Sequence, residues 1–230
     1  MEHNIQEACK QTIVDTGVEM IEKGITVGTW GNISVRDPET GLIYISPSGM
    51  DYTRIKPQHV VVMTGDLEIV DGEAEPSIEK HMHACVYRER EDIHAVIHTH
   101  PTYSTVFGVA GTALPAVSED FVQIVGEEVL IAEPYRLPGT AELGETAVKW
   151  LGSRNAVLLP GHGALVAGKD MKTALKVSVV LEKNAQIYLY ARLLGGEVRT
   201  FSKEEIEAMQ SFAKNHYGKK NRDLEAHSPE

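Results

Sequence analysis

Three histidines stand in patterns that could hold a metal ion. His98 and His100 form the motif "HTH" at the end of an apolar run, and His162 lies between two glycines. On a β-strand, side chains two residues apart project from the same face, so the first two imidazoles would point together. A catalytic zinc ion takes about three protein ligands and keeps one position open. His162 could be the third ligand, although spacing alone leaves open whether it meets the HTH pair.

A carboxylate could complete such a metal site. Glu79 is the candidate, because it lies at the start of the helix that is expected to precede the HTH strand. The other histidines nearby, at 81, 83 and 94, are more typical of surface or core positions. His83 lies one helical turn after Glu79 and could contact the metal ligands without binding the metal itself.

Local patterns predict the elements that would carry these residues. Helical spacing or caps predict helices over 5–24, 77–90, 102–110, 140–152, 170–196 and from Ser202 to about Tyr217. Strands are predicted over 33–37, 42–46, 60–63, 67–70, 92–100 and 128–134, and a pair around a glycine turn over 155–168. Strands in the middle with helices beside them predict an α/β sheet covered on both faces.

The chain shows no internal repeat or linker, so a single domain is predicted over 1–230, with its core at about 5–220. The tail of about 218–230 is expected to be mobile. The net charge of −11 argues against a nucleic-acid partner or an anionic membrane surface. No apolar stretch approaches the roughly 20 residues of a membrane helix, and no charged-then-apolar leader opens the chain. Two cysteines outside any CxxC motif favour a reducing cytoplasm.

Five motifs in a fixed order carry a resemblance to a known family. They are "GTWGNIS" (28–34), "ISPSGMDY" (45–52), "EPSIEKHMH" (75–83), "HAVIHTHPTYSTVF" (94–107) and "LLPGHGALVAG" (158–168). Together they resemble the class II aldolase/adducin family over almost the whole chain. The resemblance implies a three-layer α/β/α sandwich with a central mixed, mainly antiparallel sheet. It also implies a homotetramer with active sites at the subunit interfaces.

The resemblance also implies roles for individual residues. His98, His100 and His162 match the family's metal-binding histidines, and Glu79 matches the acidic residue that contacts the metal and transfers a proton. The implied ion is Zn²⁺, although Mn²⁺, Co²⁺ or Fe²⁺ suits three imidazoles and a carboxylate as well. Tyr217 resembles a C-terminal tyrosine that closes over the aldehyde half of the substrate.

Three loops match the family's phosphate-binding segments. Their candidate residues are Thr29, Gly31, Asn32, Ser48, Gly49 and Ser77. Backbone N–H groups and hydroxyls of this kind can hold a phosphate dianion without a full counter-charge. Each loop alone is more typical of an ordinary turn, and only their occurrence together favours a phosphate site.

The chain departs from the aldolase pattern at two places. Ile78 stands where the aldolase has the second of two serines, so one phosphate contact is missing or replaced. Glu119, followed by Asp120, stands near the position of a tyrosine that the aldolase donates across a subunit boundary. The second acid/base is therefore left open among Glu119, Asp120 and Tyr217.

The reaction implied is the reversible cleavage of a ketose 1-phosphate to dihydroxyacetone phosphate and an aldehyde by a metal-dependent aldolase. The bound metal would polarise the ketone. The substrate is left open among L-fuculose, 5-deoxyribulose and 5-methylthioribulose 1-phosphates. A ribulose-5-phosphate 4-epimerase or a methylthioribulose-1-phosphate dehydratase on the same metal platform is the alternative. A non-enzymatic adducin-like module is disfavoured because all three histidines and Glu79 are present. No GxSxG or GxGxxG motif supports a hydrolase or a nicotinamide enzyme.

Overall fold

The computed structural model describes residues 4–216, so Tyr217 and the predicted tail lie outside the described residues. The helices are α1 (Glu7–Glu22), α2 (Lys80–Glu89), α3 (Thr102–Ala110), α4 (Glu119–Ile124), α5 (Ala141–Leu151), α6 (Met171–Leu193) and α7 (Lys203–Asn215). The strands are β1 (Asn32–Arg36), β2 (Ile43–Ile45), β3 (Val61–Met63), β4 (Ile69–Asp71), β5 (Ala95–Thr99), β6 (Leu114–Pro115), β7 (Glu128–Val129), β8 (Ala156–Leu159) and β9 (Gly163–Gly168). From residue 4 to residue 216, no helix is both long and apolar enough to cross a membrane.

Seven strands form one sheet in the order β4-β3-β2-β1-β5-β9-β8. Every neighbouring pair in this sheet runs antiparallel, and the parallel component is an isolated bridge between Ile131 and Leu158. Strand β5 lies between β1 and β9. Its register places His98 opposite Asn32 on one side and opposite Leu165 on the other. The HTH strand is therefore a fully paired strand within the sheet.

Helices cover both faces of the sheet and make the predicted three-layer sandwich. Ala95 and Ile97 belong to the apolar core on the face that also contains Ile13 of α1 and Leu181 of α6. Val96 belongs to the opposite core, which contains Met82 of α2 together with residues of α5. Because side chains alternate along a strand, His98 shares the face of Val96 and points toward α2.

Short polar signals set several helix boundaries as predicted. The Asp170 side chain accepts a hydrogen bond of 2.6 Å from the Thr173 N–H and caps α6. Ser202 and Glu205 form the reciprocal capping box that starts α7. Gly24 follows α1 with φ of 66°, a left-handed conformation that suits glycine after a helix.

The largest differences from the prediction lie in two segments, and the two-residue strand β6 was not predicted either. The strand expected over 128–134 is reduced to β7, which pairs with β6 outside the main sheet. Helix α4 was not predicted, since six residues are too few to show helical periodicity in a sequence. Its N-terminal turn contains Glu119 and Asp120, whose negative charges suit the positive end of a helix.

Candidate metal and substrate site

Three imidazoles converge where β5 ends and the chain turns from β8 into β9. The Nε2 atom of His98 lies 2.9 Å from Nε2 of His100 and 3.3 Å from Nε2 of His162. One ring nitrogen from each histidine lies within 4.8 Å of the others. The structure thus brings together the three histidines that the sequence singled out.

The glycines around His162 explain how the turn delivers this imidazole. Gly161 has φ of 60°, a conformation that few other residues adopt. A Cβ atom on Gly163 would lie 2.1 Å from the carbonyl oxygen of Thr99, so only glycine allows β9 to begin against the end of β5. Because of this close approach, His162 stands beside the HTH motif.

The surroundings of the imidazoles keep them neutral. His98 Nδ1 lies 2.9 Å from the carbonyl oxygen of Ala164, which can only accept, so Nδ1 carries the hydrogen and Nε2 turns its lone pair toward the cluster. Burial, helped by the neighbouring His100, lowers the pKa of His98 to about 3. Burial lowers the pKa of His162 to about 4 and also lowers that of His100, against the opposing effect of Glu79. Neutral imidazole is the form that binds metal ions.

Glu79 lies directly before α2, and its carboxylate is buried against the histidines. Its Oε2 is 3.3 Å from His98 Nε2, and its Oε1 is 3.5 Å from His162 Nε2. Oε1 is buried and has no hydrogen-bond partner among the described residues. An unpaired buried carboxylate oxygen is costly unless a positive charge accompanies it. The three imidazole nitrogens and this carboxylate oxygen therefore form a set of donor atoms that fits a divalent cation.

A cavity of about 280 Å³ opens beside this cluster. Glu79, His100 and His162 are among the residues that line it. All six candidate phosphate residues also line it: Thr29, Gly31, Asn32, Ser48, Gly49 and Ser77. The three loops that match the family's phosphate-binding segments therefore line the same cavity as His100 and His162.

The loop residues offer the cavity different kinds of donor. Thr29 and Ser48 are exposed, so their hydroxyls are accessible from the cavity. Gly31 has φ of 77°, and a Cβ atom there would lie 2.5 Å from the carbonyl oxygen of His98. Asn32 is buried and donates from Nδ2 to Glu79 Oε2 at 2.7 Å. An amide nitrogen carries two hydrogens, so one is left for a substrate oxygen.

Of the proposed second acid/base groups, the two that the structure describes do not line this cavity. Glu119 is exposed at the start of α4 and does not line the cavity. Asp120 forms an ion pair of 2.6 Å with Lys183. Tyr217 lies outside the described residues. Their roles stay predictions.

Trp30 and Ile78 are cavity residues that the sequence reasoning did not assign to the substrate. Both line the cavity and are large apolar side chains that are mostly exposed, at 64% and 63%. The Trp30 ring centroid lies 5.5 Å from that of His100. A tryptophan inside a glycine-rich loop was the available signal, because such a loop has little core in which to bury it.

Comparison with known proteins relates this chain to sugar-phosphate lyases. The family described as Class II Aldolase and Adducin N-terminal domain matches residues 11–189. The chain is 40% identical to a 5-deoxy-D-ribulose 1-phosphate aldolase of Bacillus thuringiensis serovar kurstaki, over 86% of this chain and 92% of the relative. It is 33% identical to the L-fuculose phosphate aldolase of Escherichia coli K12, over 84% and 88%. A solved L-fuculose 1-phosphate aldolase superposes with a TM-score of 0.88 at 37% identity, over 93% of this chain and all of that one.

Proposed function

Since the chain belongs to the class II aldolase and adducin family, we propose that it cleaves a ketose 1-phosphate reversibly to dihydroxyacetone phosphate and an aldehyde. It is a lyase that acts on sugar phosphates. The observation that carries the proposal is the convergence of three neutral imidazoles and the Glu79 carboxylate beside a cavity with hydroxyl and amide donors. Nothing about this arrangement favours an epimerase over an aldolase.

The phosphate of the substrate binds at the end of the cavity formed by the three loops. The hydroxyls of Thr29, Ser48 and Ser77 donate to its oxygens, and the left-handed glycines let backbone N–H groups approach closely. An overall acidic protein can bind a dianion in this way because the donors are local and neutral. Anchoring the phosphate fixes the distance at which the ketone meets the histidines.

His98, His100, His162 and Glu79 would hold the metal, for which we propose Zn²⁺, with Mn²⁺, Co²⁺ and Fe²⁺ as alternatives. When bound, the ion supplies a Lewis acid that polarises the ketone and favours the negative charge that develops as the C3–C4 bond breaks. Glu79 holds the proton that the C3 carbon then receives, and it removes the same proton in the condensing direction.

A second group must take the proton of the C4 hydroxyl as that carbon becomes the aldehyde. We assign this step to Glu119, Asp120 or Tyr217 of a neighbouring subunit, because the described part of the chain places no such group in its own cavity beyond those already used. The functional assembly in this proposal is a homotetramer in the cytoplasm, with sites between subunits.

The aldehyde half of the substrate meets apolar walls. Trp30 and Ile78 offer exposed apolar surface inside the cavity, which suits a sugar that ends in a methyl group or thioether better than one that ends in a hydroxyl. All three candidate ketose 1-phosphates end in a methyl group or a methyl thioether, so these walls do not rank them. We place 5-deoxyribulose 1-phosphate first, ahead of L-fuculose and 5-methylthioribulose 1-phosphates, because the 40% identical Bacillus thuringiensis relative is named for that substrate.

A substrate panel tests the proposal. Purified protein loaded with Zn²⁺ or Mn²⁺ is incubated with the three ketose 1-phosphates and with L-ribulose 5-phosphate, and released dihydroxyacetone phosphate is measured. We expect release from the 1-phosphates, fastest with the 5-deoxy sugar, and none after chelation. Conversion of the pentulose 5-phosphate without any triose release would instead identify an epimerase.

A further inference from the structure

A line of buried polar side chains leads from the interior to Glu79. The Tyr87 hydroxyl lies 2.8 Å from Ser34 Oγ, which lies 2.6 Å from Nδ1 of His83. Nε2 of His83 lies 2.5 Å from Oδ1 of Asn32, and Nδ2 of Asn32 donates to Glu79 Oε2 at 2.7 Å. All five side chains are at most 5% exposed. The line therefore joins α2 and β1 without solvent between its members.

The hydrogens in this line have one consistent direction. The Glu79 carboxylate accepts, so Asn32 must present its NH₂ group to it and its carbonyl oxygen to His83. That oxygen also only accepts, so His83 carries its hydrogen on Nε2 and accepts at Nδ1 from Ser34. Ser34 in turn accepts from Tyr87. Each group donates toward the carboxylate.

The line acts on one oxygen of Glu79 and leaves the other free. Oε2 accepts the Asn32 amide, whereas Oε1 has no partner among residues 4–216 and faces His162. A carboxylate held at one oxygen by a fixed donor loses rotational freedom, so the second oxygen keeps its place beside the histidines. The two carboxylate oxygens therefore differ: one is fixed by a hydrogen bond, and the other lies beside the histidines without one in this part of the chain.

We infer that His83 is a positioning residue for the aldol reaction: with Ser34 and Tyr87 behind it, it fixes the orientation of the Asn32 amide, and that amide holds the Glu79 carboxylate in the place from which it exchanges the C3 proton of the substrate. The inference rests on the proposed function of the same site. His83 does not line the substrate cavity, and its ring nitrogens are paired with Ser34 and Asn32 and not with the three histidines. Its effect on the rate passes through Asn32.

The state of His83 is suited to this task. Burial, with a contribution from His98, lowers its pKa to about 3, so the ring stays neutral and keeps one donor and one acceptor nitrogen. A protonated ring would donate from both nitrogens and would break the bond from Ser34. A residue that only filled space at this position would not need hydrogen bonds to Ser34 and Asn32, nor a fixed direction of donation between them.

Two substitutions of His83 separate positioning from packing. His83→Leu keeps a similar volume and removes both nitrogens, whereas His83→Gln keeps an N–H group near the position of Nε2. We expect His83→Leu to lower kcat by about 10- to 100-fold, the usual effect of a residue that orients a metal-site ligand. KM should change little and metal content should stay at the wild-type level. His83→Gln should recover most of the lost kcat.

A second readout isolates the step assigned to Glu79. The enzyme is incubated in D₂O with dihydroxyacetone phosphate alone, and exchange of one C3 hydrogen for deuterium is followed by NMR. His83→Leu should slow this exchange by the same factor as cleavage, because both need the carboxylate in place. Ser34→Ala and Tyr87→Phe, which leave His83 intact, should show smaller losses. Ser178→Ala is the matched control, since this buried hydroxyl donates to the Ala174 carbonyl of its own helix and does not belong to the line.

Full kcat in a metal-replete His83→Leu enzyme overturns the inference, and so does a loss of kcat that merely follows a loss of metal. If that variant does not fold, wild-type exchange and cleavage in both Ser34→Ala and Tyr87→Phe overturn it instead. Wild-type protein that neither cleaves a ketose 1-phosphate nor exchanges deuterium contradicts the proposed function itself, a result that no variant can produce.

Discussion

At the scale of single residues, the two carboxylate oxygens of Glu79 differ in their hydrogen-bond partners. Oε2 is bonded to Asn32, and Oε1 is buried without a partner among the described residues. A glutamine at this position keeps an oxygen for the metal but cannot carry a transferable proton. We expect Glu79→Gln to retain metal while kcat falls by roughly 100- to 10,000-fold, the usual contribution of a general acid/base.

Glu73→Gln provides the matched control, because Glu73 is an exposed carboxylate shortly before the same helix. It should retain the wild-type rate. Metal is measured by elemental analysis and kcat by triose release. Undiminished turnover in metal-replete Glu79→Gln would remove Glu79 from the proton-transfer step.

The metal ligands give a different signature when they are removed. His100 is half-buried at the cavity, with its Nε2 directed toward the other two histidines. We expect His100→Ala to lose bound metal and turnover together, because a site reduced to two imidazoles and one carboxylate holds the ion more weakly than the full set of four ligands. His59→Ala, which removes a histidine in a short 3₁₀ turn elsewhere, should lose neither. A metal-free His100→Ala protein with full activity would end the metal-dependent account.

Burial of His83 also makes stability depend on pH. Its pKa is lowered to about 3 in the folded protein, against about 6.5 when unfolded. Between these values the unfolded chain binds the proton and the folded chain does not, so stability present above pH 6.5 is lost as the pH falls. We expect the free energy of unfolding of metal-free wild type to fall more steeply than that of His83→Gln, by about 2 kcal/mol in total between pH 7 and pH 5. Urea titrations at pH 7, 6 and 5 measure the difference, and equal slopes would contradict it.

At the scale of elements, the two glycines around His162 are needed for different reasons: Gly163 for a close approach of two strands, and Gly161 for its backbone conformation. Gly163→Ala would place a Cβ atom 2.1 Å from the Thr99 carbonyl oxygen, so β9 must move away from β5. We expect a loss of stability of about 1–3 kcal/mol, as for other overpacked sites, together with weaker metal binding. Gly161→Ala strains only the backbone, at φ of 60° with no atom within 4 Å of the new Cβ. It should cost about 1–2 kcal/mol and keep the metal.

Thermal unfolding and zinc titration of the two variants test this division. Equal zinc affinity in Gly163→Ala and wild type would show that the contact between β5 and β9 does not set the geometry of the histidines.

The elements that the sequence predicted well are those with local signals. The spacing of Ser202 and Glu205 predicts the start of α7, and Asp170 as an N-cap residue predicts the start of α6. The apolar run over 92–100 was enough to predict a strand, and the two-residue period of a strand placed His98 and His100 on one face. Helix α4 and the short strand β6 lack such signals, because they are only six and two residues long. Their conformations depend on the elements that surround them.

At the scale of the whole molecule, the site joins parts of the chain that local patterns cannot connect. His162 meets His98 because β9 pairs with β5, with Thr99 opposite Ala164. No spacing in the sequence states that pairing, and the family resemblance supplied it. The role of His83 was harder to predict, since a histidine on a helix has the same appearance whether it lies in a core or supports a site. Its partner Ser34 is 49 residues away.

Exposed apolar side chains favour an assembly of several chains. Val109, Tyr135 and Leu137 are large apolar side chains that are 71%, 56% and 64% exposed. Val109 and Tyr135 line one depression, and Leu137 precedes Pro138 of the substrate cavity. Apolar surface of this kind beside a site favours burial by another protein chain. We expect light scattering to give roughly four times the 25.3 kDa mass of one chain.

Charged substitutions in this patch should separate assembly from metal binding. Val109→Asp and Leu137→Asp should lower the mass toward that of the monomer, because a buried unpaired carboxylate opposes association. The metal should stay bound, since all four of its proposed ligands come from one chain, whereas cleavage should fall if a neighbour supplies the second acid/base. Ile69→Asp changes an exposed apolar side chain on β4, at the sheet edge opposite β8, and serves as the control. A monomer that retains the full rate of cleavage would place every catalytic group within one chain, and Tyr217 of the same chain would then become the group to test.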